Sequence, residues 1–255
     1  MVILNRSPSA GELRIIPLEG IPEVENGDDL VALLAGAAER AGGLEDADVV
    51  VVAQKVVSKA EGRVVRLDEI EPSARALELA DDRDPRHVEA ILQESVEVVR
   101  VRPPLIITET RHGFICASAG VDASNAKGKG TLVLLPLDPD ASAAAIREGL
   151  RERFGCDVGV IVSDSFGRPF RQGTTDVALG AAGITPLLDL RGVRDSVGYE
   201  LQATQIAVAD ELAGAAELVI GKTNAIPAAI IRGLDVRGPG VGHDIVIPAA
   251  RDLFR

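Results

Sequence analysis

Apolar residues recur along this chain with two different periods, and polar or glycine-rich breaks separate the stretches. Residues 13–18, LRIIPL, read as a short strand. Asp28 and Asp29 open DDLVALLAGAAERAGG, whose apolar positions fall at helical spacing and end in a Gly-Gly stop. Asp48 leads into VVVVA, a β-branched run expected of a strand buried on both faces. The polar, glycine-containing QKVVSKAEGRVV predicts a loop into a second short strand. EPSARALELA and DPRHVEAILQES predict two helices, each with a proline near its start. VEVVRV, PLIITET and GFICAS read as strands, and AGVDASNAKGKG as a loop before the strand TLVLL.

DPDASAAAIREGLRERFG carries the strongest helix signal: Asp138 or Asp140 as cap, Pro139 at the entry and Gly155 at the end. DVGVIVSDSFG predicts a buried strand that passes into a loop at Asp164. TDVALGAAGI fits strand or helix, because its glycine and alanine content weakens both. QATQIAVADELAGAAEL predicts a second helix, followed by VIGKTN and a strand, PAAIIRG, while GHDIVIPAARDLFR has little periodicity. Strands cluster mid-chain as well as alternating with helices, so the expected class is α+β, with mixed sheets and flanking helices. No internal repeat, linker or domain boundary stands out.

The 255 residues are 46% apolar and 26% charged, which suits a sizeable core and excludes wholesale disorder. Aromatics make up only 2%, so that core is aliphatic. With 27 basic against 39 acidic residues the net charge is −12, a field that repels a duplex phosphate backbone and argues against nucleic-acid binding. An anionic small substrate would need a local basic pocket set against that field. Cys116 and Cys156 are too few for a disulfide framework or a four-thiolate zinc site. His87, His112 and His243 lie far apart, and His112 reads as structural rather than catalytic. MVILNRSPSAGELR lacks the apolar run of a signal peptide, and no stretch reaches about 18 apolar residues. A cytoplasmic protein without membrane contact is expected.

Ala216-x-x-x-x-Gly221-Lys222-Thr223 imitates a phosphate-binding loop, but Glu-Leu-Val-Ile fills its middle and a strand follows, the inverse of the strand–turn–helix such a loop needs. Neither G-x-G-x-x-G after a strand nor G-x-S-x-G occurs. Asp122 in AGVDASN, and Asp164 with Ser165 in IVSDSFGRPFRQG, each follow a strand-like run and offer hard oxygen ligands for Mg²⁺ or Mn²⁺. The same aspartates would also serve simply to close turns. Lys127, Lys129, Arg168 and Arg171 nearby add the cations typical of a phosphoryl-transfer site. Lys55 and Lys59, four apart around Ser58, suit either an anion pocket or a solvated face.

Seven segments, IIPLEGIPEVENGDDL, VVVVAQKVVSKAEGRVV, AGVDASN, LPLDPDASA, VGVIVSDSFGRPFRQGTTDVALGAAGI, AVADELAGAAELVIGK and PAAIIRG, run in this order from about residue 13 to residue 234. Together they resemble the coenzyme F420-0:L-glutamate ligase family. Some actinobacterial relatives fuse this module to a nitroreductase-like domain. With the chain ending at DLFR, the expectation is one ligase module over 1–255, stand-alone or an N-terminal half, without that second domain.

The resemblance implies an α+β fold of two subdomains in an intertwined homodimer. It implies GTP-dependent transfer of phosphate to a carboxylate of a deazaflavin coenzyme precursor, attack by the amine of L-glutamate, and extension of a γ-linked tail. Two divalent ions, Mg²⁺ or Mn²⁺, and K⁺ are the implied cofactors. By the same resemblance Asp122, Asp164 and Ser165 are metal ligands. Ile21, Pro22, Glu23, Val24, Gln54, Lys55, Lys59 and Asn125 contact GTP, as does the loop Ile220, Gly221, Lys222, Thr223, Asn224, Ala225, Ile226 and Pro227. Arg168 and Arg171 are assigned to phosphate or carboxylate. Some relatives place a metal-ligating Glu or Gln in that loop, where this chain reads Gly-Lys-Thr-Asn. Protonated lysine has no lone pair, so the ligand is lost or replaced by Thr223, Asn224 or a main-chain carbonyl. The loop is expected to meet nucleotide through backbone, with Lys222 at the edge. Two other readings stay open: a metal-dependent phosphohydrolase, and a nucleotide-binding module without chemistry.

Overall fold

The computed structural model describes residues 5–6, 12–124 and 128–253. Strands β1 (Asn5–Arg6) and β2 (Arg14–Pro17) precede helix α1 (Leu30–Arg40), which Asp29 caps by accepting from the Ala32 amide. Strand β3 (Val49–Ala53) passes directly into α2 (Gln54–Ala60). Next come β4 (Val64–Arg66), α3 (Ala74–Leu79), α4 (Pro85–Gln93), β5 (Ser95–Arg102), β6 (Leu105–Thr110), β7 (Ile115–Ala117) and β8 (Thr131–Val133). Helix α5 (Pro139–Phe154) leads to the hairpin of β9 (Gly159–Gly167) and β10 (Thr174–Ala182). The chain continues through β11 (Leu187–Asp189), β12 (Gln205–Ala207), α6 (Val208–Ile220), β13 (Ala228–Arg232) and β14 (Leu234–Asp235). The α+β class with mixed sheets and flanking helices is thus observed.

A five-stranded sheet in the order β10-β9-β3-β13-β2 organises the molecule, with β3 and β9 parallel and the other pairs antiparallel. Side-chain alternation explains its two-sided burial. Val50 and Val52 join Val160, Val162, Ala228 and Ile230 against α1 and α5. Val49 and Val51 join Ile161, Ala229 and Ile231 against α6, which contributes Val208, Leu212, Ala216 and Ile220. The chain between α2 and α5 forms two small sheets, β4-β8 and β5-β6-β7, with their own apolar clusters around Ile91 and Leu132 and around Val88 and Ile106.

Three local expectations change, and one open reading is settled. The predicted loop after β3 is helix α2, because Val56, Val57, Ser58 and Lys59 are buried there and tertiary packing outweighs the weak propensity of β-branched residues. Asp164 and Ser165 lie within a strand rather than on a loop, since β9 continues to Gly167 while paired to β10. TDVALGAAGI is strand: Gly180 lies where a Cβ would come within 2.1 Å of the Pro139 carbonyl oxygen, so its glycine admits the start of α5. The second helix begins at Val208, after a short strand, and runs through Ile220.

Strand β10 is an outer strand of the sheet, yet its backbone is not free. Glu217 accepts from the Asp176 amide (3.0 Å), Asp210 from Ala178 (2.9 Å) and Asp140 from Ala181 (2.8 Å). Three carboxylates do there what a further strand would otherwise do.

Candidate functional site

Where the parallel pairing of β3 with β9 ends, at Ala53 and Ser163, β3 passes into α2 and a cavity of about 280 Å³ opens. Crevices beyond the carboxyl ends of parallel strands are common ligand sites. Ile21, Pro22, Glu23 and Val24 line one side, the start of α2 the floor, and Ile220–Thr223 with Ala225–Pro227 the other side. Asp164, Ser165 and two residues absent from the sequence reading, Asp176 and Glu217, complete the wall.

Gln54 is almost wholly buried in this floor. Its Oε1 accepts from Ser58 Oγ (2.8 Å), while its Nε2 has no partner among the described residues. A buried amide donor left open at a cavity wall is costly unless something binds it. Lys59, also buried, donates to Glu23 Oε1 (2.5 Å).

Lys55 pairs with Asp122 Oδ2 (2.7 Å) and donates to Ser124 Oγ (2.7 Å). Ser124 in turn donates to Asp122 through its amide (2.7 Å) and its hydroxyl (2.9 Å). Asp122 comes from the mid-chain sheets, tied to Val133 by two backbone hydrogen bonds of 3.0 and 2.8 Å. Ser118, Ala119 and Gly120 precede it in left-handed conformation (φ 55°, 52° and 70°), a strained turn for the first two residues. Burial pushes the Asp122 carboxyl up, but hydrogen bonds from Lys55 and Ser124 outweigh this and hold it below its usual range.

On the other side, Asp176 is buried and lies directly across the β9–β10 ladder from Ser165. It accepts from Ser163 Oγ (3.0 Å) and from Ser165 Oγ, and Lys222 Nζ donates to Ser165 Oγ. Asp164 is pushed up to about 7, chiefly by burial and also by neighbouring Asp176; the Ser165 amide, Lys55 and Lys222 pull the other way.

The cavity gathers most of the candidate residues. Asp122 and Asn224 are outside the lining, Asp122 meeting it only through its ion pair with Lys55, and Asn125 and Lys127 lie outside the described residues. Arg168 and Arg171 are exposed in the β9–β10 turn, away from the cavity wall, where Arg168 donates to the Gln172 carbonyl (3.3 Å). Lys129 is exposed as well. Gly221-Lys222-Thr223 follows a helix and precedes a strand, as the inverted context predicted, and the exposed Lys222 donates through its ammonium to Ser165 Oγ. His112 is structural: its Nε2 lies 2.9 and 3.1 Å from the Pro136 and Leu137 carbonyls, and its ring stacks on Phe114. Cys116 is buried, which pushes its thiol up to about 12, and Cys156 is a half-buried free thiol. Asp176 escaped detection because only the register of β9 against β10 sets it beside Ser165.

The oxygen donors fit a hard divalent cation. Among the described residues no three carboxylates, imidazoles or thiolates converge to hold an ion by themselves. A second, wider cleft of about 590 Å³ lies toward the far end of β10, among Asp140, Arg147, Asp157 and Arg237. No described helix is long and apolar enough to cross a membrane.

The family model described as F420-0:Gamma-glutamyl ligase matches residues 20–233. Three similar proteins are each named Coenzyme F420:L-glutamate ligase. The Methanopyrus kandleri protein is 50% identical over 251 residues, covering 95% of this chain and 98% of its own length. That of Methanothermobacter thermautotrophicus is 46% identical over 250 residues, 95% and 99% of the two chains. That of Methanocaldococcus jannaschii is 47% identical over 217 residues, 83% and 86%.

Proposed function

Because the chain belongs to the F420-0:γ-glutamyl ligase family, we propose that it joins L-glutamate to a carboxylate of a coenzyme F420 precursor, driven by GTP. One observation supports the nucleotide part of this reading: a single cavity brings together Ile21–Val24, the Gln54–Lys59 face of α2, the 220–227 loop and the Asp164–Asp176 carboxylates.

In this reading the guanine nucleotide lies across the cavity, and the open Nε2 of Gln54 donates to it. Asp122, Asp164 and Ser165 hold Mg²⁺ or Mn²⁺, which supplies charge neutralisation for the phosphates. The resemblance implies two such ions; the number this chain takes depends on Lys222. The coenzyme carboxylate attacks the γ-phosphorus, the bond to the β-phosphate oxygen breaks and GDP leaves. The glutamate amine then attacks the acyl carbon, forming the amide and releasing phosphate and a proton. Lys55 and Lys222 stabilise negative charge at this end of the cavity. The acyl phosphate must be shielded from water, and a second subunit over the cavity would do so. Tail extension, K⁺ dependence, the intertwined homodimer of two-subdomain subunits and a cytoplasmic setting belong to the same proposal.

Mass spectrometry of the product after incubation with the precursor, glutamate, GTP and Mn²⁺ tests it. A mass increase of one or more glutamyl units is expected. Phosphate release that needs neither glutamate nor precursor would instead identify a phosphohydrolase. Nucleotide binding without turnover would leave a binding module.

A further inference from the structure

The cavity carries two lysines in different settings. Lys55 is bound to a carboxylate, Asp122, at 2.7 Å. Lys222 has no carboxylate partner among the described residues, and its ammonium is directed at a hydroxyl, Ser165. Ser165 has one hydroxyl proton and two lone pairs. The proton goes to Asp176, and one lone pair receives Lys222, leaving a single lone pair for any ion. Lys222 is thus linked through Ser165 to the buried carboxylate of Asp176, at the wall a cation would otherwise occupy.

The backbone holds the lysine there. Helix α6 ends at Gly221 with φ 60° and ψ −174°, a conformation essentially confined to glycine. A Cβ at that position would lie 2.6 Å from Asn224 Nδ2. The Gly221 amide is also fixed to the Glu217 carbonyl (2.9 Å), so the turn that delivers Lys222 is anchored to the helix bearing Glu217. Asp164, between the two lysines, has no ion pair among the described residues and keeps its carboxylate available.

We propose that the Lys222 ammonium is a built-in cation of this cavity, so that the site takes one divalent ion with its nucleotide, centred on Asp164, instead of two. The proposal rests on the guanine-nucleotide reading above. A tethered monovalent charge beside Ser165 repels a divalent ion at the same wall while itself neutralising phosphate oxygen. Lys222 is therefore a phosphate-binding residue, in the place where a ligand-bearing side chain would recruit a metal.

Titration with Mn²⁺, followed by electron paramagnetic resonance on the full chain, tests this in two arms. With a non-hydrolysable GTP analogue bound, the wild type and Lys222→Arg should each hold one Mn²⁺ per chain, and Lys222→Gln two. With Mn²⁺ alone, Lys222→Gln should bind the ion about tenfold more tightly than wild type, since an opposing unit charge is gone. Two ions in the nucleotide-bound wild type would overturn the proposal. So would equal stoichiometry and affinity in wild type and Lys222→Gln. If the analogue binds none of the three proteins, the nucleotide reading falls, and the Mn²⁺-only arm still decides whether Lys222 opposes a cation. Lys222 lies in an exposed turn, so the variants should fold, and circular dichroism checks that they do.

Discussion

The two ends of strand β10 both carry charged groups and use them in opposite ways. At the far end, Asp140 accepts from the amides of Ala181 (2.8 Å), Gly242 (2.6 Å) and His243 (3.2 Å). Arg147 pairs with Asp157 at 2.6 Å and Arg237 with Asp235 at 2.6 Å. That cleft is the wider one, but these groups already have partners within the chain. At the near end, among the described residues, Gln54 Nε2 is open, Asp164 has no ion pair, and Lys222 faces a hydroxyl. Capacity left for a ligand, rather than charge or volume, separates a binding site from a structural network.

Substitutions at the two ends should therefore fail differently. Asp122→Asn and Asp164→Asn should each lower ligation by about a thousandfold or more, since in the proposed reading each removes a charge that would hold the metal and phosphates in register. Melting temperatures should change little, because neither side chain packs in a core. Near wild-type kcat/KM at saturating Mg²⁺ in either variant would remove that residue from the site. Asp140→Ala should do the reverse. It strips partners from three backbone amides, at a cost of about 3 kcal/mol in chemical denaturation, and leaves turnover per folded molecule unchanged.

Much of this arrangement was readable in the chain, for identifiable reasons. VVVVA, the Asp138-to-Gly155 helix and PAAIIRG announce themselves because burial on both faces and end-capping are local properties. Most of the residues carried over from the family resemblance line one cavity, while Asp122 reaches it only through Lys55. What failed was non-local. Helix α2 looks like a loop until the residues covering Val56 and Val57 are known. Asp176 lies in a segment compatible with either secondary structure, and only cross-strand pairing places it against Ser165. Arg168 and Arg171, close to Asp164 in sequence, are carried away from the cavity by the outward run of β9.

A finer contrast is available within the near end. Ser165→Thr keeps the hydroxyl that links Lys222 to Asp176 and should remain active. Ser165→Ala removes that link and, in the proposed reading, a metal donor, and should raise the Mg²⁺ needed for half-maximal turnover by about tenfold. An unchanged Mg²⁺ dependence in the alanine variant would make the hydroxyl a bystander.

The smallest effect is expected midway along β10, at Asp210, which accepts from the Ala178 amide at 2.9 Å. Burial raises this carboxyl above the ordinary aspartate value, and the amide only partly offsets it. The folded chain therefore keeps this proton to higher pH than the unfolded chain. Just above the ordinary value the folded state binds more protons, so the contribution of Asp210 to stability falls as pH rises, until its folded-state value is passed. Asp210→Asn removes that titration, while its side-chain oxygen still accepts from Ala178. The melting temperature of wild type relative to Asp210→Asn should accordingly decline between pH 4 and neutrality. A relative rise over the same interval would mean that the amide, and not burial, governs the carboxyl. Asp210 would then be a second strongly bonded anchor of the strand, like Asp140, rather than a group the fold tolerates there.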